Sequence, residues 1–152
     1  MAVGFLQTPI GILRLTATQR LLIRVERVEQ WGEERLNPII LEAKRQLLSY
    51  FSGELQVFTV PCRYPAGTPF QIKVWDALQR IPYGQTVTYG ELAESLGMPK
   101  ASRAVGGAVG RNPLLILVPC HRVVAKHGLG GFREGLACKR MLLDLEQGRW
   151  LR

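Results

Sequence analysis

Hydrophobic and polar positions first alternate along this chain and then settle into a helical period. Residues 3–7 form a short apolar stretch stopped by Thr8-Pro9. Ile12, Leu13 and Leu15, then Leu21, Leu22, Ile23 and Val25, stand in two runs with Arg14, Arg24 and Glu26 between apolar neighbours. Partial alternation of this kind predicts a pair of antiparallel strands around a turn near Gln19-Arg20. Asn37-Pro38 opens a helix as N-cap and first helical residue, and Gly53 closes it. Its apolar face is Ile40, Leu41, Leu47, Leu48 and Phe51. Val57 to Val60 is a candidate returning strand.

Pro61, Pro65, Gly67 and Pro69 then crowd one stretch, the best place for a boundary between domains. Beyond it the pattern is helical. Thr68-Pro69 caps a helix carrying Phe70, Val74, Trp75, Leu78 and Ile81, which Pro82 ends. Thr88-Tyr89-Gly90-Glu91 matches a capping box, with Leu92, Ala93 and Leu96 following. After the turn Gly97-Met98-Pro99, Lys100 to Arg111 reads as a small-residue helix halted by Asn112-Pro113. Leu114 to Val118 is a buried extended run leading into Pro119-Cys120-His121-Arg122-Val123-Val124. A loop with Gly128, Gly130 and Gly131 precedes a last helix from about Glu134 to Gln147.

Composition narrows the class. The 152 residues suffice for one ordinary domain or two small ones, and 47% hydrophobic with 21% charged residues is the balance of a globular protein. No apolar run approaches the roughly 20 residues of a membrane span. Met1 to Ile12 lacks the basic start and apolar block of a secretion signal. Three Cys at unmatched spacings suggest neither a disulfide framework nor a paired-cysteine zinc site, so a reducing cytoplasm is the expected address. The net charge of +8 is uneven. Residues 1–76 hold 9 basic and 7 acidic side chains, residues 77–152 hold 11 and 5, giving +2 and +6. Fifteen of the 20 cations are Arg, whose planar fork suits phosphates and base edges, so a polyanionic partner is expected for the second half.

Two short helices joined by Gly97-Met98-Pro99 have the outline of a helix-turn-helix. The second is slim, with Ala101, Ser102, Ala104, Gly106 and Gly107 around one long cation, Arg103. Such a face suits close approach to a backbone or narrow minor groove better than reading of base edges. Pro119-Cys120-His121-Arg122 sets a thiol beside an imidazole and a guanidinium. A thiol of ordinary pKa, about 8.5, is only a few per cent thiolate at neutral pH, and a neighbouring base or cation raises that fraction. Neighbours on an extended chain face opposite ways, so His121 needs a sharp turn or a bridging water to take the thiol proton. An acid on the last helix would orient the imidazole, and Glu134, Asp144 and Glu146 all qualify.

The run from Asn112-Pro113 to Val124 resembles the active-site signature of the O⁶-alkylguanine-DNA alkyltransferases, the methylated-DNA–protein-cysteine methyltransferases. The resemblance extends to Tyr89, to Arg103-Ala104-Val105-Gly106-Gly107-Ala108, and from Gly135 through Lys139 to Glu146. It is dense over residues 70–148, while the first 60 residues match only in outline. It implies an α/β (α+β) fold. Residues 1–62 would form a small domain with an antiparallel sheet and helix. Residues 63–152 would form a mostly helical domain with a helix-turn-helix and a short active-site strand. It implies repair by direct, irreversible transfer of an alkyl group from O⁶-alkylguanine, and O⁴-alkylthymine, in duplex DNA to Cys120. No cofactor takes part, and the protein would be a monomer bound in the minor groove. Cys120 would be the acceptor, His121 the base acting through water, Glu146 its orienting acid, and Asn112 a link between recognition helix and active-site loop. Arg103 would fill the gap left by the flipped base, and Tyr89 would assist flipping and bond guanine N3. Ala101, Ser102, Gly106, Gly107 and Arg122 complete the expected DNA contacts. Val123, Phe132, Arg133, Val109 and Lys139 complete the substrate pocket, with the carbonyls of Cys120 and Val123 accepting from the guanine amino group.

The sequence departs from the family in places. Phe132 stands where many relatives carry Tyr, and Arg133-Glu134 where small residues are common, which bears on bulky adducts such as benzyl. The first cysteine is Cys62, so the N-terminal metal ligands of some relatives are missing and no zinc is expected. Two rival classes are a non-catalytic alkylguanine-recognition protein and a Cys-His-Glu hydrolase. The first replaces the cysteine that this chain keeps, and the second requires motifs that it lacks.

Overall fold

In the computed structural model, which describes residues 1–149, the alternating segment forms a three-stranded antiparallel sheet. Its strands are β1 (Ala2–Thr8), β2 (Gly11–Ala17) and β3 (Leu22–Val28), in that order. The apolar stretch at residues 3–7 is thus a strand in its own right, paired with β2 in the register Leu6 to Leu13. The expected turn near Gln19-Arg20 joins β2 to β3, and Thr18 Oγ1 accepts from the amides of Arg20 and Leu21 at 3.2 and 2.9 Å.

Helix α1 (Pro38–Phe51) buries Ile40, Ala43, Leu47 and Tyr50. Gly4 on β1 lies so close to it that a β-carbon there would collide with Ile40. Asn37 caps the helix as expected. Its Oδ1 accepts from the Ile40 amide at 2.9 Å, and its Nδ2 donates to the Thr18 carbonyl at 3.0 Å. The segment Val57–Val60 is not a strand. The Gln46 side chain replaces a strand neighbour, its Oε1 accepting from the amides of Thr59 and Val60 at 2.9 and 3.2 Å. Val57 consequently stays 70% exposed.

The chain divides into two compact units. The first extends past Cys62 to Pro65, because Leu22 on β3 exchanges backbone bonds with Pro61 and Arg63 at 2.9 and 3.0 Å. It also takes in Pro113–Leu115, which lie along the free edge of β3. There Val25 donates to the Pro113 carbonyl at 3.0 Å and accepts from the Leu115 amide at 3.1 Å. The run Leu114 to Val118 is therefore not one extended segment. It reverses at Ile116, whose φ of 73° is rare for a β-branched residue. The reversal lets the Val118 carbonyl accept from Asn112 Nδ2 at 2.7 Å.

The second unit comprises Ala66–Asn112 and the chain from Ile116 onward. It holds α2 (Pro69–Leu78), β4 (Val87–Thr88), α3 (Tyr89–Ser95), α4 (Ser102–Val109), β5 (Val123–Val124) and α5 (Leu136–Glu146). Thr68 with Gln71, and Thr88 with Glu91, form complete capping boxes at α2 and α3. Helix α3 ends at Gly97, with φ +72°, where the Gly97 amide bonds the Glu94 carbonyl and the Met98 amide reaches back to Ala93. This pairing satisfies the last carbonyls and turns the chain into α4. Helix α4 is shorter than the expected Lys100–Arg111, since Ala101 at its start has no side-chain cap. Trp75 Nε1 donates to the Ala108 carbonyl at 2.8 Å and pins α2 to α4. Strands β4 and β5 pair in parallel, Val87 against Val123.

Replacing Asn37 by Ala removes both the cap and the bond to Thr18. Urea unfolding is expected to show a loss of about 0.5–2 kcal/mol.

Candidate active site

The thiol sits at the start of a single 3₁₀ turn, Cys120–Arg122, rather than on extended chain. The turn follows from Pro119, whose carbonyl accepts from the Arg122 amide at 3.0 Å. All three of its residues are buried. Burial is the main influence on Cys120 and pushes the thiol up to about 11. A hydrogen bond from the Asn112 side chain works against that, as do the charges of Arg133 and Lys139, while Glu134 adds to it. Asn112 is itself 1% exposed and tied to Val118, so its amide is held in place.

Of the three acids open to His121, the structure selects Glu146. His121 Nε2 lies 2.6 Å from Glu146 Oε2. Arg122 grips the same carboxylate, Nε to Oε1 at 2.8 Å and Nη2 to Oε2 at 3.0 Å, and the Gly84 amide donates to Oε1 at 3.2 Å. Asp144 pairs with Arg149 and Glu134 with Arg133. With both Glu146 oxygens accepting, the imidazole carries its proton on Nε2, which leaves a lone pair on Nδ1. Among the described residues, no group lies within hydrogen-bonding distance of that buried Nδ1. Burial holds His121 below its ordinary value despite the opposing pull of Glu146, so the ring is a neutral base.

Arg122 corrects an expectation. A DNA contact requires an exposed guanidinium, yet this one is 7% exposed and fully engaged, with Nη1 donating to the Ile81 carbonyl at 2.6 Å.

Lys139 is 0% exposed and gathers several neighbouring groups. Its Nζ donates to the carbonyls of Val123 and Gly131 at 2.6 and 3.0 Å, and lies 5.8 and 5.9 Å from the ring centres of Tyr89 and Phe132. Burial lowers its pKa to about 8. Tyr89 Oη donates to the Gly131 carbonyl at 3.4 Å, and Gly130, at φ +75°, leaves no room for a β-carbon against that ring. Arg133 donates from Nη2 to the Asn112 carbonyl at 3.1 Å. Val109 is packed into the buried side of α4.

Helix α4 turns a bare face outward. Arg103, Ala104 and Gly107 are exposed, while Ala101, Ser102 and Gly106 are half-buried. A β-carbon on Gly107 would meet nothing within 4 Å, and one on Gly106 would only touch the Tyr89 ring at 3.6 Å. Arg103 makes no ion pair among the described residues.

A family model described as the DNA-binding domain of 6-O-methylguanine DNA methyltransferase matches residues 69–148. The methylated-DNA–protein-cysteine methyltransferase of Methanosarcina acetivorans is 52% identical over 124 residues, covering 81% of this chain and 78% of the relative. That of Methanosarcina barkeri is 43% identical, covering 97% and 98%. The chain belongs to the methylated-DNA–protein-cysteine methyltransferases. A structure of Mycobacterium tuberculosis O6-methylguanine methyltransferase superposes with a TM-score of 0.88 at 42% identity, covering 98% of this chain and 94% of that one. A structure of the Mycobacterium tuberculosis OGT in complex with DNA gives 0.86 at 43%, covering 97% and 93%.

As a DNA-repair methyltransferase of this family, the protein brings together Cys120, His121, Glu146, Asn112, Tyr89 and Lys139 within its second unit. Sequence reading missed the loop Ile81–Gly84, which supplies a carbonyl to Arg122 and an amide to Glu146. The available signal was Pro82-Tyr83-Gly84, a turn placed just ahead of β4, with Gly84 at φ +80°.

The protonated thiol has a measurable consequence. Between the ordinary thiol value and about 11, folded Cys120 keeps a proton that the unfolded chain releases. Its contribution to stability is therefore whole below that window and is lost as pH rises through it. With Cys62→Ser and Cys138→Ser in place, iodoacetamide labelling of Cys120 is expected to be slow at neutral pH and to rise with a midpoint near 11. Asn112→Ala should move that midpoint higher.

Proposed function

We propose that the protein repairs O⁶-alkylguanine, and O⁴-alkylthymine, in duplex DNA by transferring the alkyl group irreversibly to Cys120, one group per molecule. The observation that carries this reading is a buried thiol, hydrogen-bonded by Asn112, next to an imidazole whose Nδ1 lone pair has no protein partner. In the transfer, His121 accepts the thiol proton through a water, with Glu146 holding the ring. The sulfur then forms a bond to the alkyl carbon as the carbon–oxygen bond breaks, and guanine leaves with the electron pair and takes up a proton, for which Tyr89 is the donor. The product is a thioether, which has no leaving group that water displaces at a useful rate, so the protein acts once. The pocket wall is Val123, Phe132, Arg133 and Lys139, with Lys139 holding its carbonyls in place.

The half of the chain with the larger positive charge contains the helix-turn-helix. The exposed small residues of α4 allow close approach to a minor groove, and Arg103 is the side chain long enough to enter the base stack. Flipping a base costs a few kcal/mol, part of which an inserted guanidinium recovers. A monomer acting in the cytoplasm is sufficient for this reaction. Among the described residues no helix is long and apolar enough to cross a membrane.

Mass spectrometry after incubation with duplex DNA containing O⁶-methylguanine is expected to show one methyl group, on Cys120, and none in Cys120→Ala, which still binds DNA. More than one transfer per molecule would refute the stoichiometric reading. Arg103→Ala should slow transfer from duplex DNA strongly, while sparing transfer from the free modified base. Equal losses on both would place Arg103 in support of the pocket instead.

A further inference from the structure

Among the described residues Glu146 is the carboxylate paired with His121, and it has a second charged partner. Arg122 meets both of its oxygens, and the loop between α2 and β4 closes over the pair. The Ile81 carbonyl accepts from Arg122 Nη1, the Tyr83 ring centre lies 5.7 Å from the guanidinium carbon, and the Gly84 amide donates to Oε1. Gly84 suits this spot because its φ is +80° and an added β-carbon would come within 3.2 Å of the Glu146 carbonyl oxygen.

Resting on the role given to His121 above, we infer that Arg122, held by the Ile81–Gly84 loop, is a positioning residue that keeps His121 an uncharged base by neutralising Glu146. The reasoning is charge counting in a dry site. A buried carboxylate needs a positive partner. With Arg122 in place that partner is supplied, and a proton on His121 would leave an uncompensated buried cation. Without Arg122, Glu146 would find its counter-charge by protonating His121, and an imidazolium cannot accept the Cys120 proton. Among the described residues, the other charged and titratable groups facing the ring leave this balance unchanged. Lys139 on α5 adds a further positive charge and opposes protonation, the Cys120 thiol is neutral, and the Tyr83 phenol touches the pair from the loop.

Nitrogen-detected NMR of the His121 ring, followed with pH on the intact protein, tests this directly. The wild type is expected to show a neutral ring with its proton on Nε2 at neutral pH. In Arg122→Gln the ring should be imidazolium there, its titration midpoint raised by about 1 to 3 pH units as expected for an unopposed neighbouring carboxylate. Arg122→Lys retains a charge beside Glu146 and should keep the ring neutral. Arg122→Gln with Glu146→Gln removes both charges and should return the ring to neutral. Neutral His121 in Arg122→Gln, or imidazolium in Arg122→Lys, overturns the inference. An imidazolium in the wild type at neutral pH overturns it even if Arg122→Gln fails to fold, and a neutral wild-type ring supports it. Methyl transfer measured in parallel separates the two readings. A ring that behaves as expected in a protein that transfers nothing refutes the proposed function and leaves this inference standing.

Discussion

The carboxylate of Glu146, buried at the end of α5, receives hydrogen bonds from His121, twice from Arg122, and from the Gly84 amide. Three separate stretches of the second unit are thereby fixed to one point, namely the 3₁₀ turn carrying the thiol, the last helix, and the loop ahead of β4. Such a cluster is sensitive to single changes. Removing one partner of a buried ion pair is destabilising by about 3–5 kcal/mol, because the remaining charge is left in a dry site. The same packing that makes the cluster fragile fixes the imidazole tautomer, and the tautomer decides which nitrogen is free to take a proton.

Much of this arrangement was legible in the sequence, for reasons specific to each element. Capping boxes at Thr68 and Thr88 and the Asn37-Pro38 start are local, since each needs only residues three or four positions away. The acceptor thiol and its neighbours stand in one continuous motif. Other features depend on partners remote in sequence and could not be read so directly. Val57–Val60 has the composition of a strand but becomes a loop because the Gln46 side chain, on α1, satisfies its amides. The apolar run after Pro113 was seen as buried, yet its reversal at Ile116 follows from two demands made from elsewhere: pairing with β3 on one side and the Asn112 amide on the other. The family resemblance places Arg122 among the DNA contacts, a role that requires an exposed guanidinium. Only the approach of Glu146 and Ile81 reveals that it is a structural ion.

Helix α4 works by omission. Its inner side is held by Trp75 and the buried Val105, Ala108 and Val109, while its outer side carries little beyond Arg103. Gly106 leaves room for the Tyr89 ring, which reaches the Gly131 carbonyl beside Lys139. The bare helix face and the surroundings of Lys139 therefore share one aromatic side chain.

The thiol's high proton affinity is consistent with a nucleophile used once. A thiolate exposed in the resting protein would react with any electrophile or oxidant that reached it, and in a protein that acts once, as proposed, each such event would consume a molecule. Burial keeps Cys120 protonated, and under the proposed function its reactivity would come from His121, a neutral base. In that reading a neutral His121, whose Nδ1 has no partner among the described residues, would take the proton when substrate binds, whereas solvent pH alone is a poor trigger at about 11. Nucleophilicity also rises with the basicity of the thiolate, so a thiol of high pKa gives a more reactive anion once the proton is removed. Protection at rest and reactivity on demand then follow from one physical choice, a sulfur kept dry next to a base that Glu146 holds in place.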